Sequence, residues 1–465
     1  MAWRDELPAL LPGRVTFDEA ERARCAGDLS PARQMLALRG EALALPCAVV
    51  RPRSPQDVQA FVRFAAAQGL RVTVRGGGSG VVEGVAATED DVVLDLGGLD
   101  AIGPIDAGSG LVTAQAGCLL GRLEARLAQE GLTVGHYPQS IDLASLGGLV
   151  ATRSSGQYSA RYGNIEDMVA GLDVVTATGD LVHLGRAPRR ALGPEAWPLF
   201  VGSEGTLGVV TAVTLIAWPL PEAEVMRSYA FADMRAGVEA LRRLTRAGLP
   251  LGVARLYDRD DALHSFPDLL PQGGVGALLL LSCLGPREVA EGGAAAADRM
   301  TRPLGGKPLG AAIGEAWLRV RNDVSEWQRY LSAGVLVDTV ECGAVWAGLG
   351  DVYEAAIAAV RAVPQVVAVF GHVAHPEASG AGLYLTIAAV PLPGEAAGEL
   401  QRRIWDALLG TVAAAGASVG HHHGVGRLRK EWTWRERGEE QGLLEAMRAT
   451  LDPGRMLNPG VLWAR

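Results

Sequence analysis

The chain has 465 residues; 49% are apolar, 60 are glycine, and 43 Lys and Arg against 52 Asp and Glu leave a net charge of −9. That length exceeds one ordinary core, so two domains or three are expected, and the apolar share is enough to build them. Scattered glycine excludes collagen-like and low-complexity chains, and the acidic balance argues against a nucleic-acid partner, which would favour a basic face.

The start, "MAWRDELPAL", is charged and lacks an apolar signal core. An N-terminal helical segment is expected over 1–45. "CAVVRP" reads as a short strand. Ser54 is a good N-cap, Pro55 suits the first helical position, and Val58, Phe61, Val62 and Ala65 recur at helical spacing until Gly69. "LRVTVR" is then a strand running into Gly76, Gly77 and Gly78. Strands follow at "DVVLDL" and "LVTAQAG", then a helix over about 119–129. "GLDVVTATGDLVHLG" predicts a hairpin turning at Thr178, Gly179 and Asp180. "LGVVTAVTLIAWPLP" is a strand ended by Pro219 and Pro221, which sets the first domain at 46–221.

Over 222–415 helices alternate with strands. Helices are expected near 234–247, 287–301, 345–362 and 395–415. The strands are "GVARLYD", "GALLLLSCL", "GVLVDTVE", "VVAVFGHVAH" and "GLYLTIAAV". The fold class is therefore α+β, with a second domain made of a largely antiparallel sheet covered by helices. The segment 416–465 is punctuated by Pro and Gly and is expected to return to the first domain. No internal repeat is evident. The longest strongly apolar run, "VGALLLLSCLG", is far short of a membrane span, so no transmembrane segment is expected. Cys25, Cys47, Cys118, Cys283 and Cys342 are dispersed and unpaired in sequence, which suits reduced thiols and a cytoplasmic setting.

Three segments carry the signs of a cofactor site. "RGGGSGVVEG" follows a strand, as a dinucleotide loop should. It is not a Rossmann loop, because Glu83 stands where the third glycine belongs and a strand, not a helix, comes next. Consecutive glycines still present bare backbone N–H groups to a diphosphate. "HYPQSIDLASLGGLVATRSSG" and "GSEGTLGVV" are also rich in small residues. Each alone is a tight turn; together they favour a large polar cofactor. A fourth segment, "HHHGVGRLRK" at 421–430, concentrates three of the eight histidines beside Arg427, Arg429 and Lys430. Histidine titrates near neutral pH and suits acid/base work, and the cations could attract an anion. If the segment is extended, His421 and His423 share one face and His422 takes the other. His372 and His375, three apart on a strand, should lie on opposite faces. No metal site is expected.

These motifs resemble the FAD-binding flavoproteins of the vanillyl-alcohol oxidase superfamily, and within it the alkyl-dihydroxyacetone-phosphate synthase branch, from about Pro52 to Pro459. "TRSSGQYSARYGNIEDMV", "GSEGTLGVV", "GLYLTIAAV" and above all "HHHGVGRLRKEW" carry the likeness. The resemblance implies a bilobal PCMH-type FAD-binding domain closed by a cap domain. Val74, Arg75, Gly76, Gly77, Gly78, Ser79 and Gly80 would carry the FAD diphosphate. Gln139, Ser140, Ile141, Asp142, Leu143, Ala144 and Ser145 would line the cofactor further along, with Thr152, Arg153, Ser154 and Ser155. Glu204, Gly205, Thr206, Leu207, Gly208, Val209 and Val210 would complete the lining. Tyr384 matches the family's acid/base tyrosine, and His421, His422 and His423 its active-site histidines. Arg255 matches an arginine kept near the flavin, and Thr339 a substrate-side hydroxyl.

The resemblance also implies an ether-lipid-forming transferase that exchanges acyl for alkyl on a ketone phosphate, with the flavin as covalent trap. The alternative is an FAD-dependent dehydrogenase or oxidase of a 2-hydroxy acid or related alcohol. Such relatives often carry a GDGN-type metal segment and a "GEHG"-like tail segment, and neither occurs here. Ser79 stands where many relatives have the histidine that bonds FAD, so the flavin is expected to be non-covalent. Gln139 replaces an acidic residue. Trp327 stands near the place of the family's phosphate-binding arginine, leaving Arg329 as the candidate. A small, anionic substrate is expected, and a homodimer is open to the chain.

Overall fold

In the computed structural model, which describes residues 3–185 and 188–463, the helix Pro55–Gln68 runs between its two sequence signals. The Ser54 hydroxyl accepts from the Asp57 N–H at 3.1 Å, and Gly69 ends the helix at φ +62°. This helix is the crossover between strands Ala48–Val50 and Arg71–Arg75, both parallel to Asp91–Asp95. Val15–Thr16 pairs antiparallel on the outer edge.

A second sheet of five antiparallel strands has the order Ile102–Asp106, Leu111–Gln115, Val209–Ile216, Val169–Val175, Leu181–Gly185. The expected hairpin is its last pair. Ile102–Asp106, in which Gly103 and Pro104 interrupt the apolar pattern, had no strand signal in the sequence. One apolar core joins the two sheets through Phe61, Val92, Leu94, Leu123, Leu127, Val174 and Val213. The C-terminal Leu457 and Trp463 belong to the same core. Asn458 donates to the Val72 carbonyl at 2.8 Å, so the tail lies along the edge of strand Arg71–Arg75.

The third sheet is wholly antiparallel. Its order is Lys307–Gly310, Ala223–Phe231, Ala277–Gly285, Leu251–Asp258, Val366–Ala374, Gly380–Ala389, Leu336–Val345. Strands alternate faces with period two. Leu256, Leu279, Leu281, Val340, Leu383 and Leu385 take one face, against helices Met234–Arg246, Arg287–Thr301, Leu349–Arg361 and Ala397–Ala414. The architecture is thus α+β, with the four long helices on one side of the large sheet and the short helices Arg259–Ser265 and Ala312–Val320 packed on the other. Its other side carries the polar residues described next. No helix of the described residues is long and apolar enough to cross a membrane.

Candidate active site

Strand register sets a row of polar side chains across this second face of the large sheet. Tyr257 pairs with His372, His372 with Tyr384, and Tyr384 with Glu341. Arg255 and Thr339 lie two residues from members of this row and so share its face. The His372 and Tyr384 rings stack at 4.8 Å. The Arg255 guanidinium meets His372 Nε2 at 2.8 Å, and the Thr339 hydroxyl bonds the Tyr384 phenol. One face thus gathers Tyr384, Arg255 and Thr339, which sequence reading had proposed singly.

Glu341 anchors the histidine segment. Its carboxylate accepts the backbone N–H groups of His421, His422 and His423 at 2.5–3.3 Å. It also accepts Arg429 Nη1 at 2.7 and 2.8 Å, and both side chains are wholly buried. Three successive N–H groups converging on one carboxylate require a curled backbone, not an extended one. The expected split of His421 and His423 from His422 is therefore corrected. The rings touch in sequence, 421 to 422 at 5.2 Å and 422 to 423 at 4.7 Å, and His423 meets Tyr384 edge-on at 5.4 Å.

His375 is a second correction. The strand stops at Ala374, and His375 turns at φ +52°. Alternation ends there, so His375 joins the cluster, stacked on His421 at 5.6 Å and edge-on to His422 at 4.8 Å. Ser159 Oγ meets its Nδ1 at 2.8 Å. Sequence reading missed Glu341. The signal was there: Asp338 and Glu341 are two acids in an otherwise apolar strand, "LVDTVECGAV", and a buried acid needs partners.

Burial sets the protonation states. It lowers His421, lowers His375 and His422 well below the usual imidazole range, and takes His423 down to about 4. Burial pushes Tyr384 up to about 12. Burial pushes Glu341 up, but the charge and hydrogen bonds of Arg429, together with His423, outweigh that and hold it at about 2. Near neutral pH the wall is neutral imidazoles, a protonated phenol and an ionised carboxylate.

The cofactor segments face this wall. The glycine loop leaves strand Arg71–Arg75 and packs on the second segment: Ser145 Oγ accepts the Gly77 N–H at 3.1 Å. A Cβ at Gly77 would overlap the Leu143 carbonyl oxygen, and one at Gly76 would overlap the Ser145 hydroxyl. The half-buried N–H groups of Gly78, Ser79, Gly80 and Val81 have no partner among the described residues. Unpaired backbone donors without obstructing side chains fit an FAD diphosphate. In the third segment Glu204, at φ +48°, accepts Val425 N–H at 2.6 Å and Gly426 N–H at 2.8 Å, so it holds the turn after the histidines. Burial raises it to about 7. Leu207, Val209 and Val210 put their side chains in the core, which leaves only their backbone for a ligand. Arg153 is exposed and paired with Glu166 at 2.7 Å.

The expected cations are placed otherwise. Arg429 is locked on Glu341, Arg427 Nε donates to the Ala86 carbonyl at 3.2 Å, and Lys430 Nζ to that of Gly460 at 3.4 Å. Of the three, Arg429 is committed to a buried carboxylate, whereas Arg427 and Lys430 are held by backbone carbonyls. Arg329 is exposed, on a helix packed against Pro31–Leu38, and does not join the site. Arg321 does. Its guanidinium lies 5.3–5.7 Å from the rings of Tyr137, Tyr158 and Trp317 and donates to Tyr158 Oη at 3.1 Å. Trp317 also carries Arg255 at 5.6 Å. Neither arginine ion-pairs with a carboxylate among the described residues.

The FAD binding domain family matches residues 46–185, and the C-terminal domain family of FAD linked oxidases matches 220–462. An uncharacterized FAD-linked oxidoreductase of Escherichia coli O157:H7 is 31% identical over 435 residues, 90% of each chain. The alkyldihydroxyacetonephosphate synthase of Caenorhabditis elegans is 28% identical over 490 residues, 97% of this chain and 81% of its own. The D-2-hydroxyglutarate dehydrogenase of Xanthomonas citri pv. viticola is 29% identical over 450 residues, 90% of this chain and 89% of its own. A solved alkyldihydroxyacetonephosphate synthase superposes with a TM-score of 0.80 over 98% of this chain and 84% of that one, at 22% identity, which speaks for a shared fold.

Proposed function

The chain belongs to the family of FAD linked oxidases, FAD-dependent enzymes, and within it we propose a synthase-like transferase that exchanges an acyl for an alkyl group on an anionic ketone substrate without net redox. The observation that carries this reading is the "HHHGVGRLRK" loop, seated on Glu341 with neutral histidines against a protonated Tyr384. When bound, FAD would supply the electron-poor ring such chemistry needs, held non-covalently because Ser79 cannot form the histidyl link.

A neutral histidine takes the proton beside the carbonyl, for which a lone pair must be free. The Tyr384 hydroxyl, protonated at neutral pH, donates to the departing carboxylate. Arg321 and Arg255 hold the anionic end of the substrate; guanidinium suits phosphate and carboxylate alike. The bond to the leaving carboxylate breaks, the oxygen of the alcohol co-substrate takes its place and its proton restores Tyr384, the histidine returns the proton it took, and the electrons balance without an acceptor.

The relative that is a 2-hydroxyglutarate dehydrogenase, together with two arginines that fit a carboxylate, favours a second reading: oxidation of a 2-hydroxy acid. Anaerobic mixing of the yellow holoprotein with acyl-ketone phosphates plus a long-chain alcohol, and separately with 2-hydroxy acids, separates the two. Exchange predicts carboxylate release over many turnovers with no electron acceptor present. Oxidation predicts one turnover of flavin reduction, then arrest until an acceptor is added. Under either reading Tyr384→Phe keeps the flavin and loses ~10²–10⁴-fold in rate. Near-parental turnover in that variant removes Tyr384 from the mechanism.

A further inference from the structure

His372 lies outside the histidine loop, and the proposed chemistry has no use for it as an acid or base. Its surroundings fix its proton. A guanidinium only donates and does not deprotonate in proteins. The ring nitrogen 2.8 Å from Arg255 Nη2 must therefore be the one with the lone pair, and that is Nε2. The proton then sits on Nδ1, 3.0 Å from Asp261 Oδ2. Asp261 is fixed in turn. It lies in the first turn of helix Arg259–Ser265, its N–H donates to Asp258 Oδ1 at 2.8 Å, and its other oxygen accepts from Ser265 Oγ at 3.1 Å. Tyr384, stacked at 4.8 Å, and Tyr257, tilted at 5.3 Å, hold the ring on both sides. Among the described residues, the hydrogen bonds of Arg255 reach no side chain besides this aromatic wall, and its Nε is buried without a partner.

We propose that His372 is a positioning residue: as a neutral ring protonated on Nδ1 it accepts from Arg255, and the chain Asp261–His372–Arg255 fixes where the guanidinium presents its remaining N–H groups to substrate. The proposal rests on the reading of Arg255 as a substrate anchor. A misplacement of about 1 Å at a reacting centre costs on the order of 100-fold in rate. Glutamine keeps both bonds, since its oxygen can accept from Arg255 and its amide can donate to Asp261. Phenylalanine keeps the stacking and loses both.

The first measurement is the 15N spectrum of histidine-labelled holoprotein, with the His372 signal identified by its loss in His372→Gln. The expected pattern is protonated Nδ1 and bare Nε2 throughout pH 6–9. A proton on Nε2, or on both nitrogens, overturns the chain of bonds whatever the enzyme does. The second measurement uses whichever acyl-ketone phosphate or 2-hydroxy acid bleaches the parent flavin. His372→Phe should retain FAD and lose about 10–100-fold in kcat/KM. His372→Gln should return to within about 3-fold of the parent with an unchanged pH profile, which a group exchanging protons would not allow. Equal kcat/KM per bound FAD in the Phe variant and the parent overturns the positioning role. If no compound bleaches the parent, the reading of the site fails, and the spectrum still decides the tautomer.

Discussion

The two sides of the candidate site are built on different principles. The cofactor side is backbone: three small-residue segments pack so closely that a methyl group at Gly76 or Gly77 would collide with its neighbour. The substrate side is side chain: seven aromatic or imidazole rings and two arginines, placed by buried carboxylates. A backbone cradle specifies shape and tolerates no added volume. A carboxylate-anchored wall specifies proton positions and tolerates no lost partner. Substitutions should therefore fail for steric reasons on one side and for electrostatic reasons on the other.

The largest effect is expected at Glu341. It satisfies three N–H groups and the wholly buried Arg429. Removing one partner of such a pair leaves an uncompensated charge and costs ~3–5 kcal/mol. Glu341→Ala should lose that much in urea unfolding, and its histidine loop should no longer support turnover. Glu341→Gln, which keeps an acceptor oxygen, should fall between it and the parent. A loss under about 1 kcal/mol in the Ala variant would mean that the anchor lies elsewhere.

On the cofactor side, Gly77→Ala tests the contrast directly. The added Cβ meets the Leu143 carbonyl, which is backbone and cannot swing away. Overpacking costs ~1–3 kcal/mol, and a backbone neighbour places this near the top of that range. FAD content should fall with it. Retention of full FAD and parental stability would show that the loop can shift, and the distinction between the two sides would weaken.

The sequence was most legible where a signal is local. Ser54, Pro55 and Gly69 bounded a helix to the residue, because caps act within one turn. The hairpin at Thr178–Asp180 was equally readable. The glycine segments and Tyr384 were found by likeness to known proteins. The pairing of the neighbouring strands that bear His372 and Tyr384 was readable, but the row Tyr257, His372, Tyr384, Glu341 was hidden, because its two ends come from strands far from that hairpin in the chain. The curl of His421–His423 was hidden for the same reason: its cause is Glu341, 80 residues upstream. Arg321 escaped notice because its partners, Tyr137 and Tyr158, come from the FAD-binding half of the chain, more than 160 residues upstream.

The acid side of the wall gives a smaller effect with a definite sign. His423 is held at about 4 by burial, against an ordinary value near 6.5. The unfolded chain therefore binds more protons between those values, and stability falls as the pH drops through that window. From pH 7 to 5 this residue alone contributes a loss of about 2 kcal/mol. His423→Asn should be less acid-sensitive than the parent by that amount, measured by urea unfolding at both values. The proposed base should also show no acid limb near pH 6.5 in turnover. Equal acid loss in parent and variant would place His423 in solvent-like surroundings.

The smallest expected effect is a control that separates the two arginines. Arg329 is exposed on a helix packed against Pro31–Leu38. Arg329→Ala should change stability by less than about 0.5 kcal/mol and leave FAD content and KM untouched. Arg321 sits where the two sides meet, hydrogen-bonded to Tyr158 and stacked among three rings. Among the described residues no carboxylate partner neutralises its charge, which is what an anion anchor requires. Arg321→Lys keeps that charge but loses the planar fork, so it should raise KM for an anionic substrate by about 10-fold with kcat largely kept. A KM that responds to Arg329 and not to Arg321 would move the anion site to the outer helix. The seam between backbone and side-chain walls would then have only a structural role.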